Sequence, residues 1–257
     1  MKIQIVSDLH EDCSRFKVNK TVDLIINAGD FSKSNTSTIE PIEEFVLKCL
    51  ESKKQCAFVL GNHDYYGHSL QNNPLIQECI DRHYNIITLD RPFDFKGYKF
   101  IGGMFGTDFK LPGDLYKDIE VNKALCKSHV MDFYRIYSNK TEQTFISPEE
   151  YLEFFNTHLE GIESYRHKDN TVLVSHFPLS HLCTDPKFIN NSLNPYFIND
   201  IDLTGFKTVI SGHTHSTRFI SIGDTDIHIN ASGYTSRYHD EYQVECADFN
   251  PEYIIEI

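Results

Sequence analysis

Five short clusters along the chain are of one chemical kind. They are Ser7-Asp8-Leu9-His10, Ala28-Gly29-Asp30, Gly61-Asn62-His63-Asp64, Ser175-His176-Phe177-Pro178 and Gly212-His213-Thr214-His215. Their functional groups are carboxylates, a carboxamide and imidazoles, that is, oxygen and nitrogen donors with no thiolate. That mix suits Mn²⁺, Fe or Zn²⁺. His213 and His215, one residue apart, can turn both rings toward one point, a stronger sign of a metal than a lone histidine. One ion does not need Asp8, His10, Asp30, Asn62, His176, His213 and His215 together; two ions sharing a carboxylate do. Two cations about 3.5–4 Å apart can clamp a phosphoryl group, and a metal-bridging hydroxide can then attack phosphorus in line. Singly, each cluster has a plainer reading: Gly-Asp after a strand is usually a turn, and Asp-x-His arises by chance. Their joint occurrence in one order carries the inference.

The elements that must position these residues are legible as apolar runs. IQIV (3–6), LIIN (24–27), AFVL (57–60), TVLV (171–174) and TVIS (208–211) each precede one cluster, and FIGG (100–103) is a further run. Continuous rather than alternating apolar runs predict strands buried on both faces. The carboxyl ends of such strands form the ligand crevice of α/β sheets, so the clusters are expected to converge there. Between the runs, Pro41 is predicted to open a helix with Ile42, Phe45, Cys49 and Leu50 on its inner side. Ser147-Pro148-Glu149-Glu150 is a capping box, followed at helical spacing by Leu152, Phe155, Leu159 and Ile162. TRFISIG and DTDIHINAS predict a hairpin turning near Gly223-Asp224, and YIIEI a final strand. Strand–helix alternation followed by hairpins predicts a mixed sheet or a pair of sheets with helices outside. One domain over 1–257 is expected, with the irregular stretch 104–147 as an insert or lid.

Composition narrows the classes. The 257 residues are 40% hydrophobic, enough for a full core, and the formal net charge is −13. That balance disfavours bulk nucleic-acid or acidic-membrane binding, because like charges repel. Seven cysteines without a C-x-x-C pair argue against a disulfide framework or a thiolate zinc site and fit a reducing cytosol. No apolar stretch reaches spanning length, so a cytoplasmic protein is expected; the phosphoryl-clamping chemistry of the five clusters, not the composition, makes its expected substrate a small phosphorylated one.

SDLH, AGD, GNHD, SHFP and GHTH together resemble the signature blocks of the calcineurin-like metallophosphoesterase superfamily, over the chain from Asp8 to His215. The resemblance implies an α/β (α+β) fold, a four-layer αββα sandwich of two mixed β-sheets flanked by helices. It implies that Asp8, His10 and His215 hold one divalent ion, that Asn62, His176 and His213 hold the other, and that Asp30 bridges them. Mn²⁺ is the expected metal, with Fe, Zn²⁺, Ni²⁺ or Co²⁺ as alternatives. His63 is expected to stabilise the phosphoryl oxygens or protonate the leaving group. Asp64 is expected either to orient His63 or to serve as a turn residue. FIGGMFGTDF (100–109), MDFYRI (131–136), FISPEEYLEFFNTHLEGIE (145–163) and INASGY (229–234) resemble a bacterial and phage subgroup of small phosphoesterases. In that subgroup the last block has a Pro-containing centre where Ala231 and Ser232 stand here, and a second histidine where Phe177 stands. Serine/threonine phosphatases of the superfamily carry an Arg soon after Gly-Asp; GDFSKSNTST (29–38) offers only Lys33. A small-molecule or nucleotide phosphomonoesterase or phosphodiesterase is therefore favoured over a protein phosphatase, a nuclease or a non-catalytic protein-binding scaffold.

Substrate-binding candidates are Asp108, Arg135 and Tyr65. Asp108, Asp132 and Arg135 line a pocket, with Arg135 on a phosphate, or form a salt bridge between insert and core. Tyr65 and Tyr66 stack on a base or pack internally. His68, His181, His228 and His239 are expected to be solvated or core residues rather than ligands.

Overall fold

A computed structural model describes residues 1–238 and 241–257. Its strands are β1 (Lys2–Val6), β2 (Leu24–Asn27), β3 (Gln55–Phe58), β4 (Phe93–Phe95), β5 (Tyr98–Gly103), β6 (Tyr137–Asn139), β7 (Thr144–Phe145), β8 (Thr171–Ser175), β9 (Thr208–Ser211), β10 (Thr217–Ile222), β11 (Thr225–Asn230), β12 (Thr235–Tyr238), β13 (Glu241–Val244) and β14 (Ile254–Glu256). The helices are α1 (Glu40–Glu51), α2 (Pro74–Asp81), α3 (Ile119–His129), α4 (Pro148–Glu163) and α5 (Asn194–Phe197). One sheet has the order β14-β1-β2-β3 and the other β10-β11-β9-β8-β5-β4. β1, β2 and β3 run parallel, as do β5, β8, β9 and β11, while the edge strands β14, β10 and β4 are antiparallel to their neighbours.

The two sheets face each other. Ile3, Ile5, Leu24 and Ile26 from one and Phe100, Val172, Val174 and Ile210 from the other form a shared buried layer. The intervening residues, among them Ile25, Leu173 and Val209, point outward into a second cluster with Phe45 of α1 and Phe155 of α4. Alternate residues thus serve two cores, which is why these strands read as unbroken apolar runs. The result is the expected αββα sandwich of two mixed sheets.

Helix signals translate directly. Ser147 Oγ accepts the Glu150 N–H, and Glu150 Oε2 accepts the Ser147 N–H at 2.8 Å, closing the capping box. α1 buries Ile42, Phe45, Val46 and Cys49, whereas Leu50, expected on the inner side, is exposed. β3 ends at Phe58 rather than reaching residue 60; Val59 and Leu60 are buried but lie past the strand's end. The hairpin of β10 and β11 turns at Gly223, whose φ is 58°.

The sheets meet at their carboxyl ends. Ser7 N–H donates to Asn230 O, Ser232 N–H donates to Ser7 O, and Asn230 Nδ2 donates to Ile5 O at 2.8 Å. The loops after β1, β2, β3, β8, β9 and β11 all open at this seam. No helix among the described residues is long and apolar enough to cross a membrane.

Candidate metal centre

At the seam, donors from five loops come within reach of one another. Three groups of potential ligand atoms each lie within 4.8 Å: Asp8, His10 and His215; His10, Asp30 and His63; Asp30, His176 and His213. Asp30 belongs to two of them. Asp8, His10, Asp30, Asn62, His176 and His213 are buried, and His215 is half-buried. Backbone geometry is unusual here: Asp8, His10, Asp30, His213 and His215 all have φ between 43° and 69°. Non-glycine residues avoid this region at a cost of about 1–3 kcal/mol each, and such strain concentrates at functional sites. Close packing adds a second constraint. A Cβ on Gly61 would lie 2.1 Å from Asp30 Oδ1, and one on Gly29 would lie 2.7 Å from His176 Nδ1.

Hydrogen bonds on the outer nitrogens settle how the rings face inward. His10 Nδ1 lies 2.9 Å from Ser32 O, His176 Nδ1 2.7 Å from Ala28 O, and His215 Nδ1 2.6 Å from Glu245 Oε2. Each partner is a pure acceptor, so each Nδ1 carries a hydrogen and each Nε2 faces inward, where the deprotonated ring presents a lone pair. His10 Nε2 and His215 Nε2 are 3.0 Å apart. His176 Nε2 is 3.0 Å from Asn62 Oδ1 and 3.3 Å from Asp30 Oδ1. His213 Nε2 is buried with no partner. Lone pairs converging at these distances repel unless a proton or a cation sits among them. The donor set therefore fits a pair of divalent ions.

The electrostatics agree. Burial works against every charge here. Even so, the His215 hydrogen bond and nearby His176 bring the Asp8 carboxyl down to about 2, and His176 and His63 hold Asp30 well below the carboxylate range. Burial lowers His176 and His215, but Asp30 lifts His176 to about 9, and Asp8 and Glu245 lift His215 to about 10. Burial prevails at His10, lowered to about 4, and at His213, pushed well below its ordinary value. A field that holds protons on two imidazoles is one that draws cations.

His63 and Asp64 follow Asn62 in a short 3-10 turn, Asn62–Tyr65. Asp64 is buried, and its oxygens accept the N–H groups of Asp30, Phe31, Ser32 and Gly61. It anchors the Asp30 loop; it does not orient the His63 ring. That ring is held by tyrosines: Nε2 is 2.9 Å from Tyr234 Oη and 3.4 Å from Tyr66 Oη. Tyr234 also stacks on His10 at 4.2 Å between centroids. Phe177, which stands in place of the subgroup's second histidine, stacks on His213 at 3.9 Å.

A cavity of about 510 Å³ opens beside the cluster, bounded by Asp30, Asn62, His63, His213 and His215 at one end. Phe188, Leu193 and Phe197 form an apolar wall, and Met131, Asp132 and Arg135 come from the 104–147 stretch. Tyr65 and Asp108 do not line it. Tyr65 is buried against Phe154, and the Asp108 carboxylate caps the Lys110 N–H. Tyr66 takes the cavity position instead. Arg135 makes no ion pair with Asp132 among the described residues; its guanidinium lies 5.3 Å over the Tyr66 ring. Of the outlying histidines, His68 bonds Ser37 O, His181 pairs with Asp200, and His228 stacks on Phe219. His239 lies outside the described residues.

Tyr234 and Glu245 are the contributors that sequence reasoning missed; Asp132, expected as a pocket or salt-bridge residue, lines the cavity and bonds Asn62 and Tyr66. Tyr234 ends the INASGY block, so it stands in a recognisable stretch without a role assigned. Glu245 carries no local signal.

Fold and centre together define a divalent-metal phosphoesterase class. A model of the family described as calcineurin-like phosphoesterase matches residues 1–217, and the chain belongs to that family. Among solved structures it is similar to the phosphopantetheinyl hydrolase PptH of Mycobacterium tuberculosis: 16% identity over 91% of this chain and 89% of that one, TM-score 0.62. It is also similar to the TT1561 protein of Thermus thermophilus: 12% identity over 95% and 97%, TM-score 0.50. These are likenesses of fold. No curated protein matches the chain significantly.

Proposed function

We propose that the chain is a dinuclear metal-dependent phosphoesterase acting on a small-molecule or nucleotide phosphomonoester or phosphodiester. The observation that carries this reading is the convergence of ligand atoms on Asp30, beside a cavity sized for a small molecule. Asp8, His10 and His215 would hold one cation, Asn62, His176 and His213 the other, and Asp30 both. When bound, two divalent ions, of which Mn²⁺ suits the oxygen and nitrogen donors, supply Lewis acidity and an activated water.

The remaining work falls to the chain. His63 Nε2–H is held toward Tyr234, and Nδ1, buried without a partner, is the nitrogen free to take a proton and pass it to the leaving oxygen. The positive charge so formed stabilises phosphoryl oxygens. Arg135, on the cavity wall without an ion-pair partner among the described residues, binds the phosphoryl group or a second anion of the substrate. Phe188 and Phe197 cover the apolar part of the alcohol. The net charge of −13 supports a small substrate over polymeric nucleic acid or an anionic membrane. All seven cysteines are free and buried, which suits a reducing cytoplasm.

The test is a substrate panel. Mn²⁺-stimulated hydrolysis of an aryl phosphomonoester or a bis-aryl phosphodiester is expected, abolished by chelator, by His63→Ala and by Asp30→Ala. Preference for an oligonucleotide would make the protein a nuclease. A purified chain that takes up no divalent ion and turns over nothing would make it a scaffold.

A further inference from the structure

Asp132 is a buried carboxylate, 1% exposed, that lies outside all five motif clusters. It sits in the 3-10 turn Met131–Tyr134, between α3 and β6, on the cavity wall. Oδ1 accepts from Asn62 Nδ2 at 3.0 Å and from Tyr66 Oη at 2.9 Å. Oδ2 accepts from Tyr151 Oη at 2.8 Å and from Tyr196 Oη. No ion pair involves it among the described residues; three phenols and an amide satisfy it instead. Burial and the Asp132 charge push the Tyr66, Tyr151 and Tyr196 hydroxyls up, so they stay neutral donors. Apolar residues of similar volume would fill this space without placing an anion in the interior. A wholly structural role therefore leaves the carboxylate unexplained.

We propose that Asp132 is a positioning residue that sets the polarity of Asn62 and of Tyr66. A carboxamide is nearly symmetric in shape, but only its oxygen can face a cation. A carboxylate can only accept, so Asp132 admits the Asn62 Nδ2 hydrogens and turns Oδ1 the other way. That oxygen lies 3.0 Å from His176 Nε2, among the donors of the second cation. The same anion takes the single O–H of Tyr66. The Tyr66 oxygen can then only accept at its 3.4 Å contact with His63 Nε2, which favours the hydrogen on that nitrogen. Asp132 thus governs two neighbouring residues of the Gly-Asn-His-Asp block, from a segment far away in sequence. Glu245 stands behind His215 in the same manner. Each cation's donors are then backed by a carboxylate that does not itself ligate, an arrangement that typically carries about 10–100-fold in metal affinity.

The inference rests on the assignment of Asn62 to the second cation, and the test separates the two. EDTA-treated protein is titrated with Mn²⁺ by calorimetry, and the visible absorption of the Co²⁺-loaded protein is recorded. Near-UV circular dichroism serves as the folding control. Wild type should bind two cations. Asp132→Asn should bind the first normally and the second about 10–100-fold more weakly, with a changed Co²⁺ spectrum. Asn62→Asp should also weaken the second, since it sets two carboxylates face to face. The double variant should recover much of it, because the substituted amide then donates to the substituted carboxylate. A folded Asp132→Asn protein with both affinities and the spectrum unchanged overturns the positioning role. If that variant does not fold, Asn62→Asp and the double variant decide: recovery supports the role, and no recovery overturns it. A wild-type chain that binds fewer than two cations overturns the two-cation reading itself.

Discussion

Glu245 and His215 share a hydrogen bond of 2.6 Å, in which imidazole Nδ1–H donates to carboxylate Oε2. The same oxygen accepts the Tyr234 N–H at 3.1 Å. One exposed-side carboxylate therefore fixes the tautomer of a candidate ligand and ties the turn that carries Tyr234 to the loop that carries His215. Replacing it by Glu245→Gln keeps the shape but removes the charge. The first cation is expected to bind about 10–100-fold more weakly, measured by Mn²⁺ calorimetry, with the second little changed. Unaltered affinity at both sites would show that Glu245 only braces the loop.

The candidate metal ligands are expected to give EDTA-treated protein a stability maximum near pH 6.5. His176 at about 9 and His215 at about 10 are raised above their ordinary 6.5, so their contribution is complete below 6.5 and is lost as pH climbs through 9 and 10. His10, lowered to about 4, and His213 are neutral in the fold, so stability falls again as the unfolded chain takes up protons below 6.5. Asp64, pushed up to about 7 by burial and by Asp30, opposes this second trend in part. A tenfold difference in proton affinity between folded and unfolded chain corresponds to about 1.4 kcal/mol. Thermal midpoints against pH should fall on both sides of the maximum. With saturating Mn²⁺ the alkaline fall should vanish, because the metal needs the deprotonated rings. A metal-free midpoint that rises between pH 7 and 9 contradicts this.

Tyr234→Phe removes the hydroxyl 2.9 Å from His63 Nε2 and keeps the ring stacked on His10. A drop in kcat of roughly 10-fold or more is expected, with KM and Mn²⁺ affinity unchanged. Steady-state kinetics with an aryl phosphate read it; a change confined to KM would assign the hydroxyl to substrate binding.

Arg135→Gln should act the other way. Loss of a charged hydrogen bond to the substrate is expected to raise KM by roughly 10–100-fold. Metal content should stay at two per chain. Unchanged KM would leave Arg135 as packing over Tyr66.

Gly61→Ala tests the close approach of backbone to the centre. Its Cβ would meet Asp30 Oδ1 and His176 Cε1 at 2.7 Å or less, so both side chains must shift. Turnover should fall by about 10²-fold, as expected for a displacement near 1 Å, in a chain that stays folded by circular dichroism. Full activity would mean that the loop relaxes at no cost.

How far the sequence can be read follows from where each signal is stored. Strands β1, β2, β5, β8 and β9 are legible because both of their faces are buried, which forces unbroken apolar runs. The apolar run at β3 extends past the strand because Val59, whose N–H still bonds Asn27 O, and Leu60 are just as buried as the strand itself. The capping box of α4 is legible because its hydrogen bonds join residues three apart. Leu50 reads as an inner residue of α1 and is not one, because periodicity marks a stripe and not its edge. The candidate metal ligands are visible as chemistry at strand ends, where parallel strands make distant segments neighbours.

The chain by itself carried the strand–helix alternation, the motif blocks whose family resemblance implies the αββα sandwich, and the candidate donors around Asp30, since these are written in local spacing and in residue type. Only the folded molecule decided that Tyr66 and not Tyr65 faces the cavity, that Asp64 braces the Asp30 loop, and that the Arg135 guanidinium lies over Tyr66 without an ion pair to Asp132 among the described residues. It alone brought Asp132 to Asn62, Glu245 to His215 and Tyr234 to His63. Those pairs lie 70, 30 and 171 positions apart and form across loops. Such contacts depend on how whole sheets and inserts pack, and no local pattern of hydrophobicity or propensity encodes them.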